Sequence, residues 1–453
     1  MLSRAHGAVL AVICLGVWLH ASDSLLVSTM MPAIVAEIGG IPFIPWTVAL
    51  YEIGSIVMGA ASGLLTLRYG LRRPMTAAAC VFAAGCAASA LAPEMWVLLA
   101  GRLLQGLGGG GLMAISFVST GLLFPKRLIA RVMGAVSTVW AVSAFLGPLV
   151  GGLFVEFATW RAGFWFFAAQ ALLLALWLAS RKESAARPEG DGAARRFPVI
   201  RLFWLSAGVI SIAYAGVEVS EIRTPLFVLL GLACLLVFLR QEGRRPESRL
   251  LPRDPIGLRT PLGAALTMVL CFTAAGIAVS LYVPFVITRL HGVSALTAGY
   301  VIAVEAVAWA LVAALLSGTA ERHDPKMIVA GFLMVTLSLV GFALTVPAGP
   351  VWTVALCAAL QGAGFGSAWT FILRRATAIA PPGEAQRVAA AIPTVQRLGY
   401  ALGAAYLGIV ANAMGIETAA GDSLGFVATA VFLACLPPAL LGLVAAARFV
   451  TSR

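Results

Sequence analysis

The chain has 453 residues, of which 61% are hydrophobic and 11% charged, against about 25% charged in soluble domains, and its mean hydropathy is +0.97. A single water-soluble core stops growing near ~250–300 residues, so a soluble fold is excluded and the excess apolar surface has to face lipid. The formal net charge of +12 is not a nucleic-acid footprint, because the Lys and Arg sit in short clusters between apolar runs and not on one soluble face beside aromatics.

Apolar runs of about 20 residues, bounded by charge or by Pro and Gly, mark helical spans. The first, near 8–34, opens like a signal peptide but continues past Asp23 to Ile34, and is read as a retained span. Spans near 44–66, 75–92, 95–123, 132–157 and 161–180 complete a group of six. A polar segment from Arg181 to Arg196 precedes two more, near 198–217 and 223–239. The basic stretch Arg240 to Arg259 then leads to spans near 260–287, 295–317, 327–346, 351–373, 387–412 and 424–447. The expected fold is an all-α integral membrane protein with two six-helix bundles, 1–185 and 258–453, and two inserted transmembrane helices in a linker at 186–257.

Charge tests the count. With the N-terminus inside, only Arg161, Arg223 and Arg289 fall in outer loops and Arg102 and Arg397 within spans, and every other Lys and Arg lies inside, as the positive-inside tendency requires. Both termini are therefore expected in the cytoplasm. A single cysteine introduced at Ala193 should resist an impermeant thiol reagent added outside, whereas one at Ala420 should react; reversed labelling would overturn the fourteen-span count. The seven native cysteines lie in or beside apolar runs without metal-ligand spacing and read as small core hydrophobes.

A repeat underlies the outer groups. Leu104-Gln105-Gly106 recurs as Leu360-Gln361-Gly362, an offset of 256 shared by Gly147 and Gly403, and Gly63 and Gly318 are 255 apart. Two copies of one unit with a peripheral inserted pair is the build of many secondary transporters, whose site lies near the bilayer midplane.

Three segments carry a more specific resemblance: GLLTLRYGLRR at 63–73, with Gly63, Leu65, Arg68, Gly70, Arg72 and Arg73; GRLLQGLGGGG at 101–111, with Arg102, Gln105, Gly106 and Gly108; and GPLVGG at 147–152, with Gly147, Pro148, Gly151 and Gly152. They resemble the loop between helices two and three, the fourth helix and the fifth helix of the major facilitator superfamily, most of all its fourteen-helix drug:proton antiporter branch. TWRAGFWF at 159–166 and QRLGYALGAA at 396–405 extend the resemblance along the whole chain. It implies alternating access, and the GPxxGG segment implies export. Leu67 stands where the family loop carries Asp, which removes the usual charge from a cytoplasmic latch.

Ionisable residues inside spans are functional candidates, since they are costly there. Asp23, Glu52 and Glu305 are the expected proton-coupling acids, with Asp23 best matched to the family pattern; desolvation disfavours the charged form of any buried carboxyl and so permits proton exchange near neutral pH. The competing reading is a structural partner for Arg102, Arg397 or His20. Glu52 and Glu305, 253 apart, are out of helical phase and are not symmetric mates. His20, Arg102, Gln105, Arg397, Trp140 and Trp309 are the expected cavity or charge-partner residues, with Trp46, Tyr51 and Trp369 as further aromatics for flat lipophilic substrates.

No P-loop, metal cluster or nucleophile elbow occurs. The expected activity is thus proton-coupled export of drugs or other lipophilic or amphiphilic molecules, not an enzymatic one, with no cofactor or metal. The alternatives are a dedicated exporter of one amphiphile or anionic metabolite, and a non-conducting lipid-handling or receptor protein. Expected partners are a small-molecule substrate, protons and membrane lipid, no nucleic acid, in a monomer of the bacterial inner membrane.

Overall fold

In hydrocarbon every backbone N–H and C=O needs an internal partner, which leaves helices as the way for such apolar runs to fold. The computed structural model describes residues 4–181, 197–244, 249–253, 255–381 and 384–451, and no strand occurs among them. The first six helices are α1 (Arg4–Ile38), α2 (Ile44–Tyr69), α3 (Arg72–Ala90), α4 (Met95–Leu123), α5 (Lys126–Phe157) and α6 (Trp160–Ala179). Then come α7 (Val199–Ala215) and α8 (Arg223–Arg244). The remainder are α9 (Pro261–Gly276), α10 (Ala278–His291), α11 (Ala295–Leu316), α12 (Asp324–Ala348), α13 (Val351–Ala378), α14 (Ala385–Ala413), α15 (Asp422–Ala434) and α16 (Leu436–Thr451). Gly276-Ile277 interrupts one long apolar stretch and Cys435 another, so the rods among the described residues number about fourteen. Among the described residues eleven stretches are long and apolar enough to cross a membrane; α3, α7 and α14 are not among them.

Local chemistry sets the ends. Thr159, Thr260 and Ser294 cap α6, α9 and α11 by accepting from the backbone N–H of Ala162, Gly263 and Thr297, the usual use of a hydroxyl at an N-cap. Gly70, at φ +78°, makes the left-handed turn between α2 and α3 that a side chain would strain. Several helices outrun their expected spans. α1 has 35 residues, about 52 Å at 1.5 Å each, against a hydrocarbon layer of about 30 Å; hydropathy sees the slab, and the helical hydrogen bonds continue past it. Ala193 lies outside the described residues, and Ala420 sits in an exposed loop before α15.

The chain divides into two compact units, Met1–Gly40 with Leu50–Val199, and Ile41–Ala49 with Ile200–Arg453. In the first, α4 approaches its neighbours through glycines. A Cβ at Gly106 would collide with the Tyr51 carbonyl on α2, one at Gly54 would stand 2.6 Å from the Leu103 carbonyl, and one at Gly85 would stand 2.6 Å from the Gln105 nitrogen. Gly106→Val should therefore force α2 off α4 and cost more than the ~1–3 kcal/mol of ordinary overpacking, read as loss of monodisperse protein on size exclusion; a normal elution profile and yield would contradict the close contact.

In the second unit the inserted pair is tied at both ends. Arg201 forms a buried ion pair with Glu242, whose other oxygen accepts from the N–H groups of Leu250 and Leu251 at 2.7 and 3.1 Å. Asn412 on α14 donates to Gly216 O, just after α7, at 2.7 Å and to Pro42 O at 3.1 Å. Arg201, counted from sequence among the inside-loop charges, lies within α7 and is 4% exposed; burial is tolerable because Glu242 neutralises it.

Candidate functional site

Arg102 on α4 is 1% exposed, and so deep a guanidinium persists only with compensation. Its Nη1 donates to Asp23 Oδ2 at 2.8 Å and to Gln105 Oε1 at 3.1 Å, and its guanidinium carbon lies 4.4 Å from the Tyr51 ring centroid. Gln105 Nε2 donates to the other carboxylate oxygen, Asp23 Oδ1, at 3.1 Å and contacts Cys86 Sγ at 3.1 Å; Ser89 Oγ donates to Gln105 Oε1 at 3.4 Å. Both oxygens of a fully buried Asp23 are thus engaged, one by a permanent cation. Tyr51 extends the network to α1: its hydroxyl donates to His20 O at 2.9 Å and lies 2.9 Å from His20 Nδ1. Trp140 stands edge-on to His20, with ring centroids 6.3 Å apart.

The second unit builds a related network around the repeated glutamine, with the acid on a different helix. Gln361 Nε2 donates to Glu305 Oε1 at 3.1 Å and to Gly276 O at 3.3 Å, and Ser338 Oγ donates to Gln361 Oε1 at 3.3 Å. A Cβ at Gly362 would meet the Glu305 carbonyl as one at Gly106 meets that of Tyr51, and Gly366 faces the Trp309 carbonyl as Gly110 faces Ser55. The contacts match Glu305 to Tyr51, not to Glu52. The offset of 256 carries Arg102 onto Ala358, a buried methyl. The second acid therefore has an amide where the first has an amide and a cation, and among the described residues no basic side chain pairs with Glu305. Trp309, one turn along α11, stacks on Phe365 at 5.2 Å, with Trp369 at 6.1 Å.

The other expected residues fall as follows. Glu52 is 6% exposed on α2, and Arg397 is half-buried on α14. Gly63, Arg68 and Arg73 are exposed, with Arg68 5.3 Å over the Tyr69 ring. Arg72 donates to Ala179 O at 3.2 Å and to Arg181 O at 2.6 Å, closing the C-terminal end of α6, where a cation suits the helix dipole. On α5, Gly147 lies against the Ser22 carbonyl, Gly151 against Thr29 and the Leu26 carbonyl, Pro148 O accepts from Thr29 at 3.0 Å, and Gly152 is buried. Gly403 on α14 meets the Ala274 carbonyl on α9, the same seat in the second copy. Trp46 lines a small crevice together with Pro42, Pro45, Gly408 and Asn412. The sequence did not reveal the Asp324–Arg374 pair, in which Arg374 also donates to Thr319 O at 3.1 Å; an acid six residues after Gly318, in the loop of the second copy that matches the Gly63 loop, was the available signal.

A family model described as Major Facilitator Superfamily matches residues 13–404. A "Probable multidrug-efflux transporter" of Mycobacterium tuberculosis is 31% identical over 438 residues, covering 94% of this chain and 92% of that protein. A riboflavin transporter of Clostridioides difficile is 25% identical over 402 residues, covering 88% and 86%. Among solved structures, a D-xylose-proton symporter superposes with a TM-score of 0.69 at 17% identity, covering 96% of this chain and 97% of its own, a likeness of fold.

Proposed function

The chain belongs to the major facilitator superfamily, and from that premise we propose that it is a proton-coupled exporter of lipophilic or amphiphilic drugs, working by alternating access. It is a multi-pass membrane transporter with many apolar helices. Fourteen spans, cytoplasmic termini, a bacterial inner membrane, a monomer and membership of the drug:proton antiporter branch complete the reading, supported by the charge pattern and by the M. tuberculosis relative. One observation carries the coupling: Glu305, a membrane carboxyl held by a neutral amide and, among the described residues, by no cation, can exchange its charge by taking a proton. Asp23, fixed by Arg102, holds the first unit's network together, and Glu52 and Arg397 are further polar groups for substrate or coupling.

Next to Glu305, the stack of Trp309, Phe365 and Trp369 suits a flat organic cation, which gains from the ring faces and from an ionised carboxylate. Proton and cation would compete for Glu305, and such competition yields exchange. Purified protein in liposomes should move ethidium when a pH gradient is imposed, and Glu305→Gln should reduce that flux to the level of protein-free vesicles. Undiminished gradient-driven flux in the variant would remove Glu305 from the coupling step. A second reading, a dedicated exporter of one flat amphiphile, is favoured by the same aromatic stack and by the riboflavin-transporting relative.

A further inference from the structure

We propose that Gln361 relays the charge state of Glu305 to the break between α9 and α10, a role that rests on Glu305 being the proton-exchanging acid. Gln361 is completely buried, and both ends of its carboxamide are engaged. Nε2 donates to Glu305 on α11 and to Gly276 O, while Oε1 accepts from Ser338 on α12. Gly276 is the last residue of α9, and the rod resumes at Ala278; terminal helix carbonyls draw partners from outside the helix. Phe365, one turn along α13, braces the same point, since a Cβ at Gly276 would stand 3.0 Å from Phe365 Cζ. Two side chains of α13 therefore hold the interruption, and one of them is bonded to the acid.

The chemistry of an amide makes that bond state-dependent. An ionised carboxylate only accepts, so the NH2 end of Gln361 must face it, and that same NH2 reaches Gly276 O. A protonated Glu305 becomes a donor. The carboxamide, turned by half a revolution about its broad terminal torsion, then accepts the Glu305 O–H at Oε1, offers Nε2 to Ser338 Oγ, and releases the Gly276 carbonyl. Loss of the stronger, charge-assisted bond favours the turn. Proton uptake at Glu305 thus unbraces the α9–α10 break. In the first unit the equivalent Gln105 bonds an acid that is already ion-paired with Arg102, so its amide keeps its orientation.

Charged and titratable groups on the surrounding elements are Tyr300 on α11, Cys271 on α9, Tyr282, Arg289 and His291 on α10, Asp324 and Lys326 on α12, Cys357, Arg374 and Arg375 on α13, Arg387, Arg397, Tyr400 and Tyr406 on α14, and Arg448 on α16. Arg374 is paired with Asp324, Arg289 lies over Phe285, and His291 bonds Val346 O. Glu305 is thus the acid that Gln361 touches.

The test is amide hydrogen exchange at residues 277–281 in the purified full-length protein, from mildly acidic to mildly alkaline pH, after correction for intrinsic exchange. Wild type should exchange roughly tenfold faster on the acid side, the scale of one charged hydrogen bond. Gln361→Leu should flatten this step while isotope-edited infrared spectroscopy still records the Glu305 carboxyl titrating, and Glu305→Gln should flatten it too. A step retained in Gln361→Leu but lost in Glu305→Gln overturns the relay and leaves the acid's role intact; a step retained in Glu305→Gln overturns the underlying reading of that acid. Should Gln361→Leu fail to assemble, Ser338→Ala, which removes the partner of the turned amide, is expected to shrink the step, and an unchanged step there would equally contradict the relay.

Discussion

Arg102→Ala is expected to destabilise the protein by about 3–5 kcal/mol, the usual cost of stranding one member of a buried ion pair. The loss follows from geometry: Asp23 is completely buried and its Oδ2 has Arg102 at 2.8 Å, so removing the guanidinium leaves a carboxylate that neither Gln105 nor Cys86 can neutralise. Asp23→Asn should be costly in turn because it strands Arg102, whereas Asp23→Asn combined with Arg102→Gln should recover part of either loss. Denaturant titration in detergent measures all three, and additive single losses in the double variant would show that the pair acts as two independent groups.

Ala358→Arg is expected to abolish pH-gradient-driven transport while leaving a folded protein. The repeat puts Ala358 where the first copy has Arg102 and Glu305 where it has Tyr51, whose ring lies 4.4 Å from that guanidinium. A new cation at 358 therefore meets Glu305 and fixes its charge. The same substitution in a Glu305→Gln background lacks a counter-ion and should be less stable by about 3–5 kcal/mol. Equal stability in the two backgrounds, or gradient-driven flux surviving in Ala358→Arg, would mean that the two copies do not share this geometry.

Much of this was legible before any coordinates. Runs of apolar residues located the helices because lipid demands them, and the recurrence of Leu-Gln-Gly in α4 and α13 located the duplicated network. The breaks at Gly276-Ile277 and at Cys435 were not legible, since hydropathy is blind to an interruption inside an apolar run. The pairing of the acids was not legible either. Asp23 and Arg102 are 79 residues apart and Glu305 and Gln361 are 56 apart, so helix packing decides which acid receives the cation, and sequence periodicity fixes only faces within one helix. The family pattern ranked Asp23 first among the coupling acids, and the fold places its carboxylate against Arg102. Arg201 looked like a loop charge because its partner Glu242 lies a whole hairpin away.

Of the two acids bonded to the repeated glutamines, Glu305, which has no arginine beside it among the described residues, exchanges the proton. Proton release from purified protein in weakly buffered detergent solution on addition of ethidium tests it most directly. Wild type and Asp23→Asn, if the latter is folded, should release protons on binding the cation, and Glu305→Gln should bind without release. Release undiminished in Glu305→Gln but lost in Asp23→Asn would contradict the account and return the proton to the first network.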